Sequence, residues 1–312
     1  MADAETSAPV PAAQAAALAR IACRMARADQ APWLHGEVAR RMAERLSLIK
    51  RQPRCLIDWD SFNGASQALL RDAYPGAEVL RVEAGVRLAP PRAAAARGAR
   101  WRSLLRRAGP QVAVVSASEV PDGQAELLWA NMVLHLCADP AAMLQRWQRA
   151  LAVDGFVMFS TLGPGSLGAL SRLYARCGWP APFAPFVDMH DLGDMLLHCG
   201  FDDPVMDQEI VTLTWADADA LLRELRSLGG NAHASRFAGL RTPRWRARLG
   251  DELQQLRGGD GRLHLDFELV YGHAFRVAPR PRVAAQTSVS LHDMRTMVRS
   301  GRRAAGGGET VG

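Results

Sequence analysis

Between Cys55 and Leu162 the chain sets down five short, largely continuous apolar runs: CLIDW (55–59), AEVLRVE (77–83), VAVVS (112–116), AELLWAN (125–131) and GFVMFSTL (155–162). Between them lie stretches long enough for helices. Such runs, rich in Val, Leu and Ile, suit strands buried on both faces. Strands spaced this way pair in parallel, with helices covering the sheet above and below. Helical spacing is explicit at 65–74, 139–151 and 165–177, and an Ala/Arg stretch after Glu83 reads as helical too. Ahead of the strands, 15–28 and 34–50 are helical. In the second, Val38, Met42, Leu46 and Ile49 recur one turn apart, with Arg40, Arg41, Glu44 and Arg45 between them.

The pattern changes past residue 177. A helix at 187–201 ends at Gly200, a strand follows at 203–215, two helices occupy 216–230 and 242–257, and 262–277 alternates as a half-exposed strand. Two strands flanking a helical pair predict a closing β-hairpin that carries a lid at about 216–260. The expected organisation is one domain over 14–276. An Ala/Pro-rich tail (1–13) and an Arg-, Pro-, Ser- and Gly-rich tail (277–312) should be disordered.

Composition narrows the function classes. The formal charge is +6, and Lys50 is the sole lysine among 38 basic residues. So much Arg beside so much Ala is what GC-rich coding produces, so arginine alone does not mark phosphate recognition. No aromatics interleave with the arginines of the C-terminal tail, which argues against a nucleic-acid arm. The five cysteines are scattered, with no CxxC or Cys/His cluster, so no metal site is expected and free thiols in a reducing compartment are. No apolar run nears the roughly 20 residues of a membrane span. The acidic start MADAETS lacks the basic opening of a signal peptide, so the expected location is cytoplasmic.

In open parallel sheets, ligands bind at the carboxyl ends of the strands, near the switch in strand order. The segments to inspect are therefore Asp58–Gly64, Glu83, Ser116–Glu119, Asn131–His135 and Thr161–Pro164. The first is DWDSFNG, where a nucleotide-type site would place glycines so that a ligand can touch backbone and meet helix N–H groups. Glu83 ends the second strand, about 25 residues after Asp58, where an acid takes ribose hydroxyls.

At this point a resemblance becomes specific. RMAERLSLIKRQPRCLIDWD, ELLWANMVLHLCADPAAML, FSTLGPGSL, FVDMHDLGDMLLHCGFDDPVMD and DFELVYGHAF occur in order over about 20–276. Together they resemble the malonyl-acyl carrier protein O-methyltransferases of biotin synthesis. The resemblance implies an α/β class I methyltransferase fold: a Rossmann-like, seven-stranded sheet whose last strand is antiparallel, with an inserted helical lid. It implies transfer of a methyl group from S-adenosyl-L-methionine to the free carboxylate of a malonyl thioester carried by an acidic acyl carrier protein. Cofactor contacts would fall to Asp58, Asp60, Gly64, Glu83, Ser116 and Asn131.

The family's first motif resembles DxGxGxG, and here Asp60 and Phe62 replace two of its glycines. A carboxylate beside the cofactor's own carboxylate, about 4 Å away, costs roughly 1 kcal/mol in water and about 4 at an effective dielectric of 20. The expectation is a weakened cofactor site, unless Asp60 pairs with the cofactor's ammonium. Either an active methyltransferase or a non-catalytic relative that keeps the carrier-protein surface agrees with this loop. On the substrate side, a malonyl carboxylate is already ionised at neutral pH. Methylation then needs positioning and not a strong base, and no residue is assigned as catalytic. Arg223 and Arg226 fall in the lid-like segment, where one could fork a carboxylate. His190 and Tyr271 are further substrate candidates, beside simpler roles in scaffolding and packing.

Overall fold

The computed structural model describes residues 12–88 and 112–278. The Ala/Arg stretch after residue 88 and most of both tails lie outside the described residues. Ala12 and Ala13, expected in the first tail, instead open the first helix, α1 (Ala12–Ala26).

Each apolar run becomes a strand: β1 (Cys55–Trp59), β2 (Glu78–Val82), β3 (Val112–Val115), β4 (Ala125–Ala130) and β5 (Leu151–Leu162). The C-terminal pair is β6 (Phe201–Trp215) and β7 (Leu263–Arg276). They form one sheet in the order β3-β2-β1-β4-β5-β7-β6. The first five pair in parallel, and β7 runs antiparallel to both β5 and β6. This is the doubly wound sheet with a closing hairpin that the pattern predicts. Its strand order reverses between β1 and β4, which places the ligand-binding crevice at their carboxyl ends.

The helices form where apolar spacing and capping agree. Helix α2 (Trp33–Arg45) buries Leu34, Val38, Ala39 and Met42 against the sheet. Two short helices follow β1: α3 (Ser61–Gly64) and α4 (Gln67–Ala73). Helix α5 (Pro140–Ala150) starts at Asp139, whose carboxylate accepts from the Ala142 amide at 2.8 Å, with Pro140 in the first turn. It buries Leu144 and Trp147. Then come α6 (Gly168–Arg176), α7 (Met189–His198) and, between β6 and β7, α8 (Ala218–Ser227) and α9 (Pro243–Leu253). Helix α8 turns Leu221 fully inward and leaves Arg223 and Arg226 exposed.

One boundary differs from the pattern. β5 begins at Leu151 and not at 155. The intervening Asp154 takes φ 64°. A Cβ on Gly155 would stand 2.8 Å from the Ala125 carbonyl oxygen, so only glycine lets β5 approach β4 there. Among the described residues all five cysteines are free, and no helix is long and apolar enough to cross a membrane.

Candidate functional site at the ends of β1, β2 and β4

β1 carries Asp58 to the strand-order reversal and buries it to 1% exposure. Its Oδ2 accepts from the Ser61 hydroxyl at 2.6 Å, while the buried Oδ1 has no partner. Burial pushes the carboxyl up to about 7, against the pull of Ser61 and Arg81.

The next loop departs from the glycine pattern in its side chains, yet its backbone takes a conformation that glycine favours. Asp60 sits at φ 53°, ψ 49°, the left-handed region that glycine favours and that Asp enters more readily than most residues. Its carboxylate oxygens accept from Asn63 Nδ2 at 3.0 and 3.1 Å. Ser61–Gly64 then wind into one turn, closed by the Gly64 N–H donating to the Asp60 carbonyl at 2.8 Å. The Phe62 ring lies against the Arg87 guanidinium, 3.0 Å from its centroid.

Glu83, just past β2, reaches across to this turn. Its Oε1 accepts from the Phe62 N–H at 3.0 Å, and its buried Oε2 is unpartnered. Burial first, then the charge of Asp60, raises its carboxyl to about 7. Asp60 is itself raised by burial, so burial works against the charge of all three carboxyls gathered in this corner.

From β4, Asn131 braces the loop. Its Nδ2 donates to the carbonyls of His35 and Gly64, both at 2.7 Å, and its Oδ1 accepts from Ser160 at 2.6 Å. Every polar atom of the Asn131 side chain is therefore taken by protein. A Cβ added at Gly64 would meet the Asn131 Cβ at 3.6 Å, an ordinary contact distance. Ser116, beyond β3, closes a capping box with Glu119, its hydroxyl 2.9 Å from Oε2.

Two histidines complete the floor: His35, which the sequence does not single out, and His135, the end of an inspected segment but given no role there. His35 of α2 donates from Nδ1 to the Asn63 carbonyl at 2.9 Å, which leaves Nε2 a bare, buried acceptor. His135, just beyond β4, packs edge-on to His35 with centroids 6.3 Å apart, and neither of its ring nitrogens has a partner. Burial keeps both rings neutral, lowering His35 to about 4 and His135 to about 3. The signal available in the sequence was a lone histidine inside the apolar run WANMVLHL, at the carboxyl end of a strand.

Above the floor are two cavities. One, of about 260 Å³, is lined by Asn63, by Arg24 of α1 and by Arg223 and Arg226 of α8. Arg24 donates to the carbonyls of Gly229 and Arg226. Burial and then the Arg226 charge lower its pKa, the mark of two neighbouring cations. The other, of about 80 Å³, is apolar apart from His135. The remaining two candidates stand elsewhere. The exposed His190 bonds to Asp188, the cap of α7, at 2.9 Å. Tyr271, in mid-β7, donates to Glu209 at 2.8 Å under the Arg45 guanidinium.

Residues 64–159 match the family described as a methyltransferase domain. Over 81% of its length the chain is 38% identical to the malonyl-(acyl-carrier protein) O-methyltransferase of Laribacter hongkongensis, 86% of which is covered. The chain belongs to the malonyl-(acyl-carrier protein) O-methyltransferase family. A second relative with that name, from Gallionella capsiferriformans, is 36% identical, with 81% of this chain and 87% of the relative covered. Among solved structures the chain is similar to the YcgJ protein of Bacillus subtilis, at 10% identity and a TM-score of 0.49, with 78% and 99% of the two chains covered. The expected family resemblance thus holds, and the seven-stranded sheet with its antiparallel β7 is the class I methyltransferase fold; the cofactor that the resemblance implies is S-adenosyl-L-methionine.

The residues present fit that cofactor. The unpartnered, buried Oε2 of Glu83 is an acceptor waiting for a hydroxyl, as a ribose would supply. Asp60 holds a left-handed backbone of the kind that glycine favours, in the loop where the resemblance implies glycines.

Proposed function

We propose that this chain methylates the free carboxylate of malonyl-acyl carrier protein in biotin synthesis, with S-adenosyl-L-methionine as donor. The reading is carried by one observation: identity of 38% to a methyltransferase of that name over 81% of the chain. The Asp58–Gly64 loop, held between Glu83 and Asn131, is the part of the chain that would hold the donor. Bound there, S-adenosyl-L-methionine supplies an electrophilic methyl group whose bonding pair stays with sulfur. The chain's own work is to hold the acceptor carboxylate in line and keep water away.

Arg24, Arg223 and Arg226 are suited to drawing an anionic substrate toward the lid. All three are exposed around one cavity, so they meet the ligand while it is still solvated. An acidic carrier protein would be steered by the same charges, and the mildly basic body favours such a partner over a nucleic acid or a membrane. A cytoplasmic location agrees with the free cysteines. Ser116, His190 and Tyr271 contribute to scaffold on this reading. The non-catalytic alternative gains nothing from relatives that are themselves named as methyltransferases.

The test is direct. Purified chain, S-adenosyl-L-methionine and malonyl-acyl carrier protein should yield the methyl ester, read by mass spectrometry. No ester at millimolar donor would end the proposal.

A further inference from the structure

Helix α8 and the segment before α7 line a small cavity that reaches toward the donor loop through His135, which packs on His35, itself bonded to the Asn63 carbonyl. Its walls are apolar: Leu162, Leu167 and Leu170 on one side, Leu225 and Leu228 of α8 on another, and Phe183 stacked on Phe186 at 5.3 Å. One polar side chain lines it. His135 is part-buried, edge-on to both His35 and Phe186, and both its ring nitrogens are shut from solvent and unpartnered. A buried polar group without a partner destabilises the fold that contains it. The cost persists where a ligand supplies the missing partner.

We infer that His135 is the residue that grips the acceptor carboxylate, donating a neutral imidazole N–H to the oxygen that is not methylated. This rests on the carboxyl-methylating function proposed above and assigns its inner acid-binding group. The ligand class is a short acid on an apolar thioester stem: apolar walls for the stem, one hydrogen-bond donor for the acid.

Neutrality is what makes the choice physically apt. The acceptor carboxylate loses its negative charge as the new C–O bond forms, and no proton moves. A guanidinium clamped on that carboxylate would favour the charged starting state over the less charged transition state, and so would slow the step. A neutral donor fixes orientation while favouring the starting charge less. His135 is held neutral by burial and by the nearby His35 ring. His35 cannot serve as the donor itself, because its single N–H is committed to the Asn63 carbonyl. The three exposed arginines then capture the anion, and the buried imidazole holds it.

The experiment uses the full chain with 15N-labelled histidine. The probes are malonyl-coenzyme A and acetyl-coenzyme A, which share every group except the terminal carboxylate. The His135 N–H resonance should move downfield with the malonyl thioester and stay in place with the acetyl one. His135→Phe should lose at least tenfold of the preference for the malonyl thioester, while its melting temperature holds or rises, since an orphaned polar group has been removed. His135→Gln, which restores a neutral donor, should recover most of the preference. Equal response of the resonance to both thioesters would overturn the assignment, as would full malonyl preference in His135→Phe. So would a lowered melting temperature in His135→Phe with preference unchanged, which marks a purely structural histidine. A wild-type chain that shows the malonyl-specific shift but forms no ester would instead count against the proposed function alone.

Discussion

The Phe62 amide donates to Glu83 Oε1 at 3.0 Å, so the acid that ends β2 grips the turn that follows β1. One carboxylate oxygen holds the loop and the other is left buried and open. The loop and the acid therefore form one unit, and a change in either alters the donor site through the other.

The first prediction follows from the charge in that unit. Asp60 is the second cause of Glu83's raised pKa, after burial. Asp60→Gly is conformationally free, because the residue already sits at φ 53°. It removes a negative charge, lets Glu83 ionise more fully near neutral pH, and would leave the loop backbone open to a donor. S-adenosyl-L-methionine should bind at least tenfold more tightly to Asp60→Gly/Phe62→Gly by titration calorimetry. Unchanged or weaker binding would mean that the acidic loop is adapted to the donor, with Asp60 pairing to its ammonium.

The second concerns the brace. Asn131→Asp keeps the shape of the side chain but replaces two donated hydrogen bonds by a carboxylate facing the carbonyls of His35 and Gly64. Losing both donated bonds and turning a carboxylate on two buried carbonyls, of which Gly64's keeps only the Ser66 hydroxyl at 3.0 Å, should destabilise the chain by about 2–4 kcal/mol. The midpoint of urea unfolding at neutral pH reads this. A midpoint equal to wild type would show that Asn131 does not hold the loop.

The third is a pH dependence. Folded Asp58 titrates at about 7, well above the ordinary value of 3.8. Between those values the folded chain binds a proton that the unfolded chain has released, so this group's contribution to stability falls as pH rises from about 4 to about 7. His35 and His135 act in the opposite sense. Their folded values of about 4 and about 3 lie below 6.5, so acidification below about 6.5 protonates the unfolded chain first and destabilises the fold. Glu83, at about 7 against an ordinary 4.5, adds to the Asp58 slope, and the two histidines oppose that sum in the wild type. Asp58→Asn removes the Asp58 slope, so its stability relative to wild type should grow from about pH 4 to about pH 7 and then level off. The gain should be on the order of 3–4 kcal/mol at most. Urea unfolding across that range measures it, and a difference independent of pH would show that Asp58 is ionised throughout.

How much of this was legible beforehand divides by physical cause. The strands at β1 and β4 were readable because burial on both faces demands uninterrupted apolar residues, and CLIDW and AELLWA supply them. The start of β5 was missed because its entry depends on Gly155 meeting the Ala125 carbonyl, a contact between strands with no local trace. In the site, Asp58 and Glu83 were legible from strand ends, since topology fixes where such residues gather. Asp60's left-handed backbone was not, because the same residue in a helical or extended loop would read identically. His135 lay at a strand end marked for inspection, but its role was not legible for a related reason. A histidine in an apolar run is ordinary until its nitrogens are known to lack partners, and that is a property of the tertiary neighbourhood.

The last prediction separates capture from grip. Arg223 and Arg226 are exposed on α8, beside Arg24 of α1. On α9, Arg246 pairs with Asp219, and just before that helix Arg241 lies over Phe237 and Trp245, so these cations are partly engaged by neighbours. If the first group draws in an acidic carrier by long-range attraction, its effect must weaken as the Debye length shrinks from about 10 Å at 0.1 M salt. Arg223→Ala/Arg226→Ala should therefore raise KM for malonyl-acyl carrier protein several-fold at low salt. It should leave kcat within about twofold and lose most of its difference from wild type near 1 M salt, where about 3 Å of screening remains. Steady-state kinetics at both salt levels decide it. A fall in kcat that persists at high salt would place these arginines on the reacting carboxylate itself, and would transfer to them the positioning assigned to His135.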